Sequence, residues 1–90
     1  MDCKVIVYTS QICPYCVRAK GLLDRKGVAY EEINISTDLE MEKEMIRITG
    51  RLTVPQILID GVPVGGCDDL YELERRGELN RLLKLDPSQQ

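Results

Sequence analysis

The chain has 90 residues, with 12 basic against 15 acidic side chains, a formal net charge of −3, and no histidine, tryptophan or phenylalanine. That length suits one small domain over residues 1–90, and the interspersed charges leave no basic footprint for nucleic acid. The longest apolar run is far too short to span a membrane, and without histidine neither a Cys–His dyad nor a Cys₂His₂ metal site can form.

A β-rich run over residues 4–8 predicts a first strand. The four residues Cys13-Pro14-Tyr15-Cys16 come next, then Ala19, Leu22 and Leu23 at helical spacing, closed by Gly27, which predicts a helix over residues 14–26. A second strand is expected over residues 29–34, with Tyr30 and Ile33 among its apolar positions. Thr37 and Glu40 form a capping-box pattern ahead of a helix bearing Met41, Met45 and Ile48 on one face and stopped by Gly50. Gln56-Ile57-Leu58-Ile59, Asp60-Gly61 and Val62-Pro63-Val64 read as a hairpin with a two-residue turn. Pro63 cannot donate to a ladder, so this fourth strand belongs at a sheet edge. A helix begins near Asp68 with Leu70 and Leu73 inward, Gly77 breaks it, and Leu79, Leu82 and Leu83 continue a last helical turn or two. The polar residues 86–90 are expected to fray.

The order β-α-β-α-β-β-α implies an α/β fold with a mixed four-stranded sheet. Its first two strands are parallel through a right-handed crossover, and helices cover both faces. The core should be aliphatic, built from Val, Ile, Leu and Met. Met1-Asp2-Cys3-Lys4 leads into a strand rather than a secretory leader, so a cytoplasmic, reducing location is expected. There, cysteine pairs are more often catalytic or metal-binding than structural.

The dithiol carries the most chemical information. It falls at a strand-to-helix turn, which puts the sulfur of Cys13 at a helix N-terminus. A free thiol has a pKa near 8.5, so only roughly 3% is ionised at pH 7. Unpaired N–H groups and the positive end of the macrodipole favour the thiolate there, and thiols so placed reach pKa values of about 3.5–7.5. Pro14 fits the first helical position, where its missing N–H has no partner to lose. Cys16, nearly one turn on, faces inward and can close back on Cys13. Cys13 is therefore assigned as nucleophile and Cys16 as resolving thiol, with Arg18 and Lys20 as candidate activating cations. The competing reading is a metal clip, since one C-x-x-C is half of many zinc sites. It would need Cys3 and Cys67, which stand far apart with no second C-x-x-C.

Three blocks together resemble the small dithiol glutaredoxins of the thioredoxin superfamily: Tyr8-Thr9 leading into Cys13-Pro14-Tyr15-Cys16; Thr53-Val54-Pro55-Gln56-Ile57; and Gly65-Gly66-Cys67-Asp68-Asp69-Leu70. The resemblance implies a thioredoxin-like fold and a glutathione-dependent thiol–disulfide oxidoreductase. It would reduce protein disulfides and glutathione mixed disulfides as a monomer, with glutathione as co-substrate and no resident metal. It further implies a cis Pro55 beside the dithiol and a glutathione site made of Tyr15, Thr53, Val54, Pro55, Gly66, Cys67 and Asp68. The backbone of Val54 would pair with the tripeptide in the manner of strand addition. N–H groups at the helix start by Gly66 and Cys67 would take the γ-glutamyl carboxylate, and Asp68 the ammonium. Plainer alternatives are a surface tyrosine at Tyr15 and an N-cap at Asp68.

Two positions depart from the family pattern. A lysine common three residues before the first cysteine is Ser10 here, and a second carboxylate-binding position falls on Glu42. Each lost exposed contact is worth about 0.2–1 kcal/mol, together roughly a few-fold to thirtyfold in glutathione affinity. Lys43, Arg47 and Arg51 are the candidate replacements. Cys3 reads as a bystander, and Cys67 as a small residue supplying its backbone or, alternatively, as a third redox-sensitive thiol. Two other functions compete: an iron–sulfur or metal-binding module, and an electron donor served by thioredoxin reductase.

Overall fold

The computed structural model describes residues 3–85. Along the chain run β1 (Val5–Thr9), α1 (Pro14–Arg25), β2 (Glu31–Asn34), α2 (Leu39–Thr49), β3 (Gln56–Ile59), β4 (Val62–Gly65), α3 (Cys67–Arg75) and α4 (Leu79–Leu82). The strands form one mixed sheet in the order β2-β1-β3-β4. β1 is parallel to β2 and antiparallel to β3, and β3 is antiparallel to β4. The expected architecture is present, with the last helical turns set apart after Gly77 as the short α4. The expected frayed tail, residues 86–90, lies outside the described residues.

Strand alternation divides the core between the two faces. Val5, Val7, Ile57 and Ile59 pack against Ala19, Leu22 and Leu23 of α1, Cys67 and Leu70 of α3, and Leu79 and Leu83. Tyr8 and Leu58 look the other way, onto Ile35 and Met45, with Met41, Ile46 and Ile48 closing the α2 side. Leu23, Met45, Ile57 and Leu70 are fully buried, and each such side chain contributes about 1.5–3 kcal/mol. The core is not purely aliphatic as expected, because Tyr8 is buried within the second cluster. Leu82 turns outward while its neighbours Leu79 and Leu83 fill the core.

Local chemistry sets the element ends. β2 starts two residues later than expected, because its pairing with β1 begins at Ile6 opposite Glu31. The cap of α2 is Asp38, one residue beyond the expected Thr37. Its Oδ1 accepts from the Met41 N–H at 3.1 Å, and a carboxylate suits the positive helix end better than a hydroxyl. The hairpin turn has both residues at positive φ, 52° at Asp60 and 82° at Gly61, the backbone a twisted two-residue hairpin demands. β4 lies at the sheet edge, where Pro63 costs no ladder bond.

Candidate active site

Cys13 is the N-cap of α1, with extended backbone (φ −150°, ψ 96°) and Pro14 at the first helical position. Its Sγ accepts from the Cys16 N–H at 3.1 Å, so the sulfur occupies the place a capping oxygen would take. Cys13 and Cys16 are joined as a disulfide, their Cα atoms 5.2 Å apart. Cys13 is partly exposed, whereas Cys16 is buried at 2% exposure. This asymmetry decides which sulfur an incoming partner meets.

The two cations expected to assist Cys13 are engaged elsewhere. Lys20 Nζ sits 3.0 Å from Glu32 Oε2, which also accepts from the buried Thr9 hydroxyl at 2.8 Å. Thr9 first, and then Lys20, hold the Glu32 carboxyl below its usual range. The Arg18 guanidinium lies 5.9 Å from the Tyr15 ring centroid and 5.6 Å from that of Tyr71, within cation–π range of both. The N–H groups at the start of α1 supply a favourable field at Cys13.

A loop from the far side of the sheet meets the dithiol. The Val54–Pro55 bond is cis, as expected, and the Val54 carbonyl faces Cys13 Sγ at 3.9 Å. Pro55 is buried, while Thr53 is exposed. Below them Gln56, 1% exposed, donates from Nε2 to the Thr53 carbonyl at 3.0 Å and to Thr53 Oγ1 at 3.3 Å.

The third wall is the start of α3. Gly66 is its N-cap, and the Asp69 carboxylate accepts from the Gly66 N–H at 3.0 Å and from Arg51 at 3.1 Å. The Gly66 N–H and then Arg51 hold the Asp69 carboxyl below its ordinary value. The alternative role of Asp68 as N-cap is thus corrected: Asp69 serves the helix end and Asp68 stands exposed. The double glycine has a steric cause. Gly65 has φ 112°, and a Cβ there would collide with the Asp69 carboxyl. One on Gly66 would sit 3.1 Å from the Pro55 carbonyl oxygen. Cys67 is buried at 5% exposure. Burial pushes its thiol up, against an opposing pull from Arg18.

These walls enclose an open cleft of about 220 Å³ lined by Tyr15, Arg51, Thr53, Val54, Pro55, Gln56, Gly66, Cys67, Asp68 and Asp69. All seven residues expected to hold glutathione are in that lining. Gln56 and Asp69, which stand in the family blocks without an expected site role, also line it, as does the candidate replacement cation Arg51. Neither Ser10 nor Glu42 is in the lining. Of the three replacement cations, Arg51 alone reaches it; Arg47 pairs with Glu44 within α2, and Lys43 is exposed. Cys3 lies away from the cleft, its Sγ 3.4 Å from the Leu82 carbonyl and 3.5 Å from Asp60 Oδ2. Among the described residues, no group of three or more His, Cys, Asp or Glu is placed to hold a metal, and no helix is long and apolar enough to cross a membrane.

The glutaredoxin family model matches residues 5–64, which carry both the dithiol and the cis-proline loop. The chain belongs to the glutaredoxin family. It is 53% identical over 85 residues to glutaredoxin 1 of Rickettsia prowazekii, spanning 92% of this chain and 90% of that one. With glutaredoxin 3 of Escherichia coli K12 it shares 54% identity over 80 residues, 89% of this chain and 96% of the relative. A crystal structure of a buckwheat glutaredoxin–glutathione complex superposes with a TM-score of 0.81 at 34% identity, covering 89% of this chain and 76% of that one. Glutaredoxins are thiol–disulfide oxidoreductases with a thioredoxin-like fold, and the cysteine pair of this one is Cys13–Cys16.

Proposed function

We propose that this glutaredoxin takes glutathione in the cleft beside Cys13 and uses it to reduce glutathionylated proteins and protein disulfides. In the first route the Cys13 thiolate attacks the glutathionyl sulfur of a mixed disulfide. The target leaves as its thiolate, and Cys13 holds the glutathione. A second glutathione thiolate attacks that bond, releasing glutathione disulfide and restoring the Cys13 thiolate. In the second route Cys13 attacks a protein disulfide. Cys16 gives up its proton and attacks the Cys13 sulfur, and the target leaves with both sulfurs reduced. Two glutathiones then reduce the Cys13–Cys16 disulfide. Exchange proceeds through three sulfurs in line, so both routes need a surface that orients the incoming disulfide.

The observation that carries this reading is the meeting of the capping sulfur of Cys13 with the carbonyl of Val54, a residue that lines the cleft. Val54 offers main-chain groups to an extended peptide. With the Gly66 N–H taken by Asp69, Cys67 presents its N–H to a carboxylate at the start of α3, and exposed Asp68 suits an ammonium. Tyr15 and Thr53 flank the tripeptide, and Pro55 fixes the floor. Turnover of this kind needs a reducing glutathione pool, which fits a cytoplasmic location. The test is a pair of variants assayed on two substrates. Cys13→Ser abolishes both activities. Cys16→Ser keeps reduction of a glutathione mixed disulfide and loses reduction of a protein disulfide. An active Cys13→Ser protein overturns the assignment.

A further inference from the structure

Gln56 is the polar side chain whose place in the fold neither the core nor the exchange chemistry accounts for. It opens β3, opposite Tyr8 of β1, and is 1% exposed. Its amide orientation is fixed by its partners, because the Thr53 carbonyl only accepts and so must face Nε2. That leaves Oε1 buried with no hydrogen-bond partner. A buried acceptor without a partner destabilises the fold, and an apolar side chain of the same volume would avoid the penalty. Nothing in the packing calls for an amide here, since the next three residues of β3 are apolar and buried.

What the amide does achieve is local and specific. Both Nε2 contacts go to Thr53, one to its carbonyl and one to its hydroxyl. Thr53 is otherwise an exposed residue directly before Val54, the residue whose carbonyl meets Cys13 Sγ. Bridging from residue 56 back to residue 53 spans the cis Val54–Pro55 bond and ties both ends of the loop together. We infer that Gln56 is a positioning residue: it stiffens the Thr53–Val54 segment so that its main chain is already set to receive the glutathione backbone, at the expense of fold stability. The inference rests on the cleft being the glutathione site. It belongs to a general pattern in which a local violation of packing rules marks a functional position.

The test is Gln56→Met, close in volume and able to fill the space without a polar atom, with Gln56→Leu as a second variant. Each is compared with the unmodified protein for steady-state reduction of a glutathione mixed disulfide of a small thiol and for thermal unfolding. The inference predicts a KM raised about fivefold, the worth of one hydrogen bond, with kcat unchanged and a melting temperature equal to or above that of the parent. An unchanged KM overturns it. So does a lowered melting temperature in both variants, which would make Gln56 an ordinary structural residue. In the unmodified protein, the Gln56 side-chain amide protons should exchange slowly with heavy water and shift on titration with glutathione disulfide; fast exchange contradicts the clamp even if neither variant folds. Failure of the parent to turn over the mixed disulfide is a separate result, and takes down the cleft assignment together with this one.

Discussion

Asp69 couples the stability of α3 to the shape of the cleft, and Asp69→Ala exposes that coupling. The substitution removes the acceptor for the Gly66 N–H at 3.0 Å and the partner of Arg51 at 3.1 Å. Loss of a helix-terminal carboxylate of this kind costs about 1 kcal/mol. The ion pair adds little: its side chains are 48% and 53% exposed, and such pairs contribute about 0–1 kcal/mol. The expected loss is therefore about 1–2 kcal/mol, read by urea unfolding, or about 4–8 °C in melting temperature for each kcal/mol in a domain this small. Asp69→Asn separates the two contributions. It keeps an acceptor for Gly66 and drops the charge, so it should lose less than half as much. The pH dependence has a definite sign. The Gly66 N–H, then Arg51, hold the Asp69 carboxyl below its ordinary value, so its contribution is complete above the unfolded carboxylate pKa of about 3.9. It disappears as pH falls through the lower folded value. The gap between the parent and Asp69→Ala should be flat from neutral pH down to about pH 5 and close in stronger acid. Equal losses in the Ala and Asn variants would refute the capping argument and leave the ion pair as the whole effect.

Three further outcomes follow from the same geometry. Gly66→Ala brings a Cβ to 3.1 Å from the Pro55 carbonyl oxygen; crowding of that sort costs about 1–3 kcal/mol, and calorimetry should record it together with a higher KM for glutathione. Met45→Ala empties a fully buried site on the α2 face and should lower the unfolding free energy by about 2–5 kcal/mol, with the specific activity of the folded protein unchanged. Ser10→Lys restores a cation three residues before Cys13; calorimetric titration should find glutathione bound a few-fold more tightly, the worth of one exposed charge contact, and the Cys13 pKa should fall. No movement in either quantity argues that Ser10 does not face the ligand.

The features legible from residue patterns were those whose cause is local. Asp60-Gly61 announces its turn because positive φ at two successive positions is tolerated by few pairs. Pro63 announces an edge strand, and Cys13 and Pro14 announce a helix start. Where neighbouring residues are chemically alike, the sequence leaves the choice open. Thr37 and Asp38 are both competent caps, and the backbone leading out of β2 selects Asp38. Asp68 and Asp69 are both acidic, and the approach of Gly66 to the Pro55 carbonyl sets the helix start so that Asp69 reaches back. Tertiary pairings were hidden altogether. From sequence Lys20 reads as a candidate partner for Cys13, because nothing in the chain says that β2 brings Glu32 beside it. Gln56 sits in a run that reads simply as a buried strand, and its clamp on Thr53 becomes visible only with the cis bond in place. The gathering of positions 54 and 66 around one cleft, with Val54 against Cys13, follows from the family resemblance, not from periodicity.

The mechanism requires the sulfur at position 13 to carry its charge at neutral pH, with the backbone N–H groups at the start of α1 as the cause. Alkylation rate against pH, measured on the reduced protein with Cys16→Ser to isolate one active-site thiol, reads that charge directly. The expected profile is a plateau already reached at pH 7. A rate that rises only around pH 8.5, the value of an unassisted cysteine, contradicts it.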